Sequence, residues 1–318
     1  MKILIVCSGK PSNPQWSFEL TRSYVYEQIE SIRNLNLGIE YDTYFIEGNG
    51  ISGYLKNYKS MVQKIKLYQP DIIHAHYGLS GLLASLQRKV PVITTFHGSD
   101  INVKKNRPFS YLASKLSKEN IFVHKNQPSK INYANYINLI PCGVDTKLFY
   151  PIDKKEARQI LQLDLDKKYV LFTGTFNNKV KNYPLAKEAI ENSTYEIELL
   201  ELKGYTRKEV CLLMNAVDAL IITSFSETGP IVAKEAMCCN CPIVSVDVGD
   251  VRDVVATTTG CFVTSYNAME LAHAMDDVFK LNKRTEGTHK MKKYSLDRIA
   301  NQVLQVYKST LKSIKGSK

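Results

Sequence analysis

Residues 219–246 read ALIITSFSETGPIVAKEAMCCNCPIVSV. An apolar run of strand length is followed by a polar loop, by a helix-like segment that begins near Pro230, and by a second apolar run at 243–246. Short continuous apolar strands joined by helices are typical of a parallel sheet that is covered on both faces. We therefore predict an α/β fold for this part of the chain.

The same alternation extends from this segment to both ends of the 318-residue chain. Strands are predicted at 2–7, 41–46, 72–75, 92–96, 121–124, 137–140, 170–173, 196–200, 219–223, 243–246 and 261–263. Helices are predicted at 18–35, 58–67, 78–88, 109–116, 184–191, 207–214, 230–237, 268–279 and 296–314. Because the pattern restarts after a turn-rich stretch at 141–153, we predict two doubly wound, Rossmann-like domains facing a cleft, 1–147 and 148–294, and a terminal helix, 295–318.

The composition is that of an ordinary globular protein, with 44% hydrophobic and 23% charged residues. No apolar run approaches the roughly 18 to 20 residues that span a bilayer. Residues 1–7 form a short apolar run that breaks at Ser8, and we interpret them as a buried strand rather than as a signal peptide. These features predict a cytoplasmic protein.

The formal charge of +11 is concentrated in the first half, where residues 1–150 carry 18 Lys and Arg against 10 Asp and Glu. Such an excess suits nucleic acid, an anionic membrane surface or a phosphorylated acceptor, and it can equally be only a solvated surface. No nucleic-acid-reading motif accompanies it, so we expect no nucleic-acid partner.

Three of the seven cysteines form a cluster, Cys238, Cys239 and Cys241. Adjacent cysteines at a helix end are poorly placed to converge on a metal, and no second group of Cys or His has partner spacing. We predict packing thiols there and no metal site.

Two acidic residues lie in the loop and the helix of the 219–246 segment. Glu227 is in the loop, and Glu235 is more than a turn into the helix. A carboxylate accepts hydrogen bonds from sugar hydroxyls, and the free N–H groups of a helix start suit a diphosphate. Pro230 is expected in the first helical turn. From spacing alone, two ordinary surface acids are the simpler interpretation.

Polar loops follow three predicted strands of the first half: Ser8-Gly9-Lys10, His74-Ala-His76-Tyr-Gly78 and His97-Gly98-Ser99-Asp100. Ligands of α/β domains bind at such strand ends. The His97 loop can instead be a structural turn that Asp100 caps. His74 and His76 could share one face and bind a metal, but no acidic or cysteine partner is evident. The absence of Gly-x-Gly-x-x-Gly argues against a dinucleotide cofactor.

The second half opens with a strand and a basic loop, VLFTGTFNNKVKN at 170–182. Lys179 and Lys181 lie in this loop. Lysine is a good point charge for phosphate, although a lysine pair in a polar loop is usually only solvated.

Together these motifs resemble glycosyltransferase family 4 of the GT-B fold. That family carries Ser-x-x-Glu-Gly-x-Pro/Gly-x-x-x-x-Glu-Ala-Met-x-x-Gly-x-Pro-Val-Val, which is matched here by Ser224, Glu227, Pro230, Glu235, Ala236, Met237, Pro242, Ile243 and Val244. The segment 140–151 also matches the family's interdomain stretch. The resemblance implies that the terminal helix crosses back to the first domain.

The resemblance also implies site residues. His97 and Glu227 would be catalytic, with His97 over the donor sugar and Glu227 near the reacting carbon. Glu235 would bind the ribose. The other implied donor-binding residues are Gly9, Lys179, Lys181, Thr228, Gly229, Pro230 and Ile231. Gly204 and Tyr205 would border the nucleobase, and His76, Gly78 and Asp100 would lie on the acceptor side.

Three positions depart from the family pattern. Thr228 and Gly229 stand where the family has Gly and a bulky residue, so the sugar is left open. Thr175 replaces an Arg that clamps the diphosphate, and Lys179 is a candidate replacement. Asn240 replaces a glycine, and Asn is the next best residue for a left-handed helix cap.

The resemblance implies a retaining glycosyltransferase that moves a hexose-type sugar from a nucleotide-diphosphate sugar, most simply a UDP-sugar. The acceptor would be a carbohydrate or a lipid-linked saccharide in surface polysaccharide or glycolipid assembly, at the inner membrane face or in the cytoplasm. No Asp-x-Asp follows a strand, so neither a metal nor another cofactor is expected. A nucleotide-sugar epimerase of the same fold and a non-catalytic nucleotide-sugar-binding paralogue are the alternatives.

Overall fold

The computed structural model describes residues 1–133 and 137–315. Its contacts divide the chain into two compact units, Met1–Gly143 with the terminal helix, and Val144–Ser295. Each unit holds one parallel sheet with helices on both faces, which confirms the predicted doubly wound α/β fold.

The sheet of the first unit has six strands in the order β2-β1-β3-β4-β5-β6. They are β1 Lys2–Ser8, β2 Glu40–Ile46, β3 Ile72–His76, β4 Val92–Phe96, β5 Glu119–Phe122 and β6 Asn138–Leu139. The helices are α1 Phe18–Thr21, α2 Ser23–Arg33, α3 Gly50–Lys56, α4 Tyr58–Tyr68, α5 Gly78–Ser85, α6 Ser99–Asn102, α7 Arg107–Leu116 and α8 Gln127–Lys130.

The alternation of side chains along β1 explains why helices cover both faces of this sheet. Ile3 and Ile5 pack into one core with residues of α2, whereas Leu4 and Val6 pack into a second core with residues of α3 and α4. Successive side chains of a strand point to opposite faces, so an unbroken apolar strand needs a cover on each side.

The second unit has five strands in the order β11-β10-β9-β7-β8. They are β7 Lys168–Phe172, β8 Ile197–Glu201, β9 Ala219–Ile222, β10 Ile243–Val246 and β11 Cys261–Thr264. The helices are α9 Lys154–Ile160, α10 Tyr183–Glu191, α11 Arg207–Ala216, α12 Ile231–Cys238, α13 Val251–Val255, α14 Ala268–Leu281 and α15 Thr288–Met291.

The terminal helix, α16 Leu296–Lys315, packs in the first unit. Its residues Ile299, Val303 and Tyr307 join the core that also holds Val25 and Ile29 of α2. Among the described residues, no helix is both long and apolar enough to cross a membrane.

Two differences from the sequence prediction concern helices. The helix predicted at 18–35 is broken at Arg22, which has φ −130° and ψ 42° and whose side chain bonds to the end of β1. Short helices such as α3, α9 and α13 were not predicted, because five to seven residues are too few for a clear helical period.

Two smaller predictions are confirmed. Cys238, Cys239 and Cys241 are at most 1% exposed and lie in the core of the second unit. Asn240 has φ +54°, the left-handed conformation expected of it.

Candidate active site

The loops after β7, β9 and β10 meet at one edge of the second sheet, because these parallel strands are neighbours. The amide of Phe225 donates to the carbonyl of Val180 at 2.9 Å, and the hydroxyl of Thr223 donates to the carbonyl of Lys181 at 2.9 Å. This edge therefore gathers most of the predicted donor-binding residues.

Lys181 and Glu227 form an ion pair at this edge. The Nζ–Oε1 distance is 2.7 Å, and the side chains are 22% and 19% exposed. Gly174, at φ +144°, allows the approach, because a Cβ there would lie 3.2 Å from Cγ of Lys181. Two residues predicted to bind one donor are thus brought together, whereas Lys179 lies exposed at the start of a 3-10 turn.

The start of α12 lies beside this pair in the chain. Pro230 is the N-cap, with φ −64°, and makes no side-chain hydrogen bond to the helix. This corrects the prediction that Pro230 lies inside the first turn: Ile231 is the first helical residue. A helix start that its own N-cap side chain does not occupy suits a diphosphate.

Glu235 lies deeper along α12 and has a different partner. It is 4% exposed and pairs with Nη1 of Arg207, whose guanidinium lies 4.8 Å from the ring centre of Phe149. Arg207 is the first residue of α11, behind a capping box of Thr206 and Glu209. Arg207 belongs to none of the motifs found in the sequence. A cation at the positive end of a helix is unfavourable, and that position could have marked it.

A buried ion pair underlies the Thr228–Gly229 loop. Lys234 is fully buried on α12, and its Nζ lies 3.1 Å from Oδ2 of Asp250 and 5.0 Å from the ring centre of Tyr294. A Cβ at Gly229 would lie 3.0 Å from the same Oδ2. Asp250 therefore occupies the space that a larger residue at position 229 would need, and the sequence analysis missed it as well.

Gly204 and Tyr205 lie in the exposed loop between β8 and α11. Tyr205 is 41% exposed and precedes Arg207 by two positions. Their predicted place beside a nucleobase stays a prediction.

Three histidines cluster at the carboxyl edge of the first sheet. Nδ1 of His74 is 2.7 Å from the hydroxyl of Tyr307, and Nδ1 of His76 is 2.9 Å from Nε2 of His97. The rings of His74 and His76 are 4.3 Å apart, so these two residues do share a face. Tyr24 packs against His97 at 4.7 Å.

Burial makes all three imidazoles neutral. It lowers the pKa of His74 to about 3, with a smaller effect of His97, and it lowers the pKa of His76 well below its ordinary value. Burial and then the charge of Arg22 lower the pKa of His97 to about 3. A neutral imidazole can donate or accept a hydrogen bond, but it supplies no positive charge.

Asp100 holds two of these loops together. Its carboxylate accepts the amides of Gly78 and His97 at 3.2 Å each and of Gly98 at 2.7 Å, and the residue is 1% exposed. Burial raises its pKa to about 6 against the opposite effect of these hydrogen bonds. The geometry is that of the alternative interpretation, a structural turn that positions His97.

The two glycines predicted to be site residues in these loops, Gly9 and Gly78, pack closely against other side chains of the first unit. A Cβ at Gly9 would lie 2.8 Å from the ring of Phe45, and a Cβ at Gly78 would lie 2.3 Å from Oγ of Ser110. Close internal packing is thus sufficient to require glycine at both positions.

Two models of known protein families match the chain, one in each half. Residues 35–148 match the family described as Glycosyltransferase Family 4, and residues 195–298 match Glycosyl transferases group 1. Each half of the chain thus matches a glycosyltransferase family model.

Curated relatives align with about two thirds of this chain. A Bacillus subtilis (strain 168) glycosyltransferase, TuaC, whose name assigns it provisionally to teichuronic acid biosynthesis, is 25% identical over 246 residues. The alignment covers 68% of this chain and 63% of that protein. The chain thus spans less than two thirds of this relative.

Solved structures show the same fold. A sucrose-phosphate synthase from Thermosynechococcus elongatus superposes with a TM-score of 0.83 at 17% identity, covering 98% of this chain and all of that one. HepE of Anabaena, solved with UDP-glucose, superposes with a TM-score of 0.73 at 17% identity, covering 97% of this chain and all of that one. At 17% identity, these two structures show that the chain has the GT-B fold and nothing more specific.

Proposed function

We propose that this chain transfers a hexose-type sugar from a UDP-sugar to a carbohydrate or lipid-linked saccharide acceptor, with retention at the anomeric carbon. The observation that carries the proposal is the Lys181–Glu227 ion pair, 2.7 Å long and beside the start of α12. A lysine that would suit a leaving diphosphate thus lies on a loop adjacent to that of a carboxylate that would suit sugar hydroxyls.

The main requirement of this reaction is to stabilise the negative charge on the leaving diphosphate. As the bond from the anomeric carbon to the phosphate oxygen breaks, negative charge grows on the diphosphate, and Lys181 and the N–H groups near Ile231 would stabilise it. The acceptor oxygen bonds to the same carbon on the same face, and its proton passes to the leaving phosphate oxygen. Glu227 would orient the sugar, and Lys179 is free to turn to the phosphates from its exposed position.

The nucleotide half of the donor has its own candidate residues. Glu235 would accept hydrogen bonds from the ribose hydroxyls, and its pairing with Arg207 holds this buried side chain in place. The complex of HepE with UDP-glucose supports the choice of UDP.

The proposed acceptor rests on the basic charge of the first half of the chain and on the name of the Bacillus relative. The basic first 150 residues suit a phosphorylated or membrane-bound acceptor, and the provisional name of the Bacillus relative suggests surface polysaccharide assembly. A peripheral position at the inner membrane face follows from this proposal.

The decisive experiment is an assay of UDP-sugars with saccharide and lipid-linked acceptors, read by mass spectrometry and by the anomeric coupling constant of the product. We expect a product with the donor's anomeric configuration, formed equally well with EDTA. Glu227→Gln should lower the rate of transfer at least 100-fold, by loss of about 3 kcal/mol of transition-state stabilisation. An inverted product would refute retention, and a loss of activity in EDTA would refute metal independence.

Incubation of the donor alone tests the alternatives. The proposal expects slow release of UDP and no isomeric sugar. An isomeric UDP-sugar would identify an epimerase, and tight UDP-sugar binding without turnover on any acceptor would identify a binding protein.

A further inference from the structure

Arg22 marks the point where the first long helix of the chain is broken. It is the N-cap of α2, and its guanidinium turns to the end of β1. Nη2 donates to Oγ of Ser8 at 2.9 Å, Nε donates to the carbonyl of Ser8 at 3.2 Å, and Nη1 donates to the carbonyl of Thr21 at 3.3 Å. All three acceptors are neutral oxygens.

The positive charge of Arg22 is therefore not balanced by an ion pair in the described part of the chain. The carboxylate of Asp100, in the loop of His97, is buried and already accepts three backbone amides. Arg33, on the same helix, differs from Arg22 because its guanidinium forms an ion pair with Glu30. A half-buried guanidinium that has lost water without gaining an anion favours an external anion.

The surroundings of Arg22 also suit an anion. Its charge lowers the pKa of His97, so the guanidinium acts on the histidine cluster at the same sheet edge. The imidazole of His76 there is 2% exposed, and its Nε2 makes no hydrogen bond to the described residues. The 11-residue helix α2 presents its positive end at the same point. The edge thus offers a guanidinium fork and a helix start beside the histidine cluster.

We propose that Arg22 binds a phosphoryl group of the acceptor at the carboxyl edge of the first sheet. A phosphoryl group accepts two parallel hydrogen bonds from a guanidinium and can accept further bonds from an imidazole N–H and from a helix start. The inference deepens the proposed function by naming the class of acceptor, and it depends on that function. The phosphoryl group belongs either to a soluble sugar phosphate or to a lipid-linked saccharide.

The test is a calorimetric titration of the whole chain with inorganic phosphate, in saturating UDP so that the donor site is filled. We expect saturable binding that Arg22→Gln weakens at least tenfold and that Arg22→Lys partly restores. Arg33→Gln, an exposed neighbour on α2, should bind like the wild type. Equal phosphate affinity in Arg22→Gln and the wild type, or equal binding of acetate by the wild type, overturns the proposal.

Two further measurements keep the outcomes distinct. UDP affinity should be unchanged in the Arg22 variants, so a wild type that fails to bind UDP contradicts the proposed function and not the phosphoryl site. If Arg22→Gln does not fold, Arg22→Lys decides, because a lysine at this position should give a phosphate affinity measurably below that of the wild type.

Two ligands distinguish a soluble sugar phosphate from a lipid-linked saccharide as the source of the phosphoryl group. A hexose 6-phosphate that competes with inorganic phosphate indicates a soluble acceptor. Arg22-dependent binding to phosphatidylcholine vesicles that carry a polyprenyl phosphate, and not to vesicles without it, indicates a lipid-linked acceptor. Absence of Arg22-dependent binding to both ligands overturns the proposal.

Discussion

Lys181 and Glu227 are 46 positions apart in the sequence and 2.7 Å apart in the structure. Each was found from a local pattern, the basic loop and the acidic loop after a strand. Their contact could not be predicted in the same way, because it depends on β7 and β9 being neighbours although β8 lies between them in the chain. Each residue neutralises the other, and a bound diphosphate would compete with Glu227 for the ammonium group.

Replacement of Lys181 by Ala should weaken UDP binding about 10- to 150-fold, the equivalent of about 1.5 to 3 kcal/mol for a hydrogen bond to a charged group. The reason is that the diphosphate loses its half-buried cation. Isothermal titration calorimetry with UDP measures the effect. Lys187→Ala is the matched control, since Lys187 is exposed on α10 and pairs with Glu191. Equal UDP affinity for the Lys181 and Lys187 variants would contradict the role of Lys181.

Three further residues were out of reach of the sequence analysis. Arg207, Asp250 and Arg22 belong to no motif, and each acquires its place through a contact with a distant segment. Their side chains carry charge, but 73 of the 318 residues do, so charge alone selects nothing. Only the unfavourable cations at the starts of α2 and α11 leave a local signal.

Helix α12 carries the site residues Ile231 and Glu235 and, just before Glu235, a buried cation. Lys234 is fully buried, and its ammonium depends on Asp250 for compensation. We expect Lys234→Met to destabilise the second unit by about 3 to 5 kcal/mol, because Asp250 becomes a buried unpaired charge. The double variant Lys234→Met/Asp250→Asn should recover most of this loss.

Urea denaturation followed by far-UV circular dichroism measures both variants. Lys187→Met, which disturbs only an exposed pair, should change the free energy of unfolding by less than about 1 kcal/mol. A double variant as unstable as Lys234→Met would show that the lysine stabilises α12 by packing alone.

The ends of β3 and β4 make the first unit sensitive to acid. Their histidines stay neutral when folded, so between pH 6.5 and about 3 the unfolded chain binds more protons at these sites. Asp100 has the opposite effect, because its pKa is raised to about 6 and the folded chain takes up its proton first. Three histidines outweigh one carboxyl group, so stability contributed by this cluster is present above pH 6.5 and falls as the pH is lowered.

The expected slope near pH 5.5 is about 2 to 3 kcal/mol per pH unit, from a net difference of roughly two protons. Fluorescence of Trp16, the single tryptophan and a residue of the first unit, reports urea unfolding at pH 7.5 and 5.5. His76→Asn should reduce the slope by about 1.4 kcal/mol per pH unit. His273→Gln, on the exposed side of α14, should leave it unchanged. A pH-independent midpoint for the wild type would mean that the histidines are protonated in the folded state.

Across the whole molecule, the alternation of apolar runs and helices was sufficient to predict two parallel sheets. Every predicted strand exists, because β-strands buried on both faces are continuous apolar runs. The order of the strands in each sheet and the break at Arg22 were not predicted, because both depend on contacts between segments far apart in the chain.

The second unit is expected to bind UDP by itself. Residues 144–295 form one contiguous core, and they hold Lys181, Glu227 and Glu235, whereas His97 and the Arg22 site lie in the first unit. A chain cut to 144–295 should therefore unfold cooperatively and bind UDP within about tenfold of the full-length affinity, a difference of about 1.4 kcal/mol. It should transfer no sugar, because the residues proposed to act on the acceptor are missing. Calorimetry with UDP and an assay of transfer check both statements, and the same fragment with Lys181→Ala is the control. A folded fragment whose UDP affinity is more than 100-fold below that of the whole chain would show that the first unit supplies a major part of the donor site.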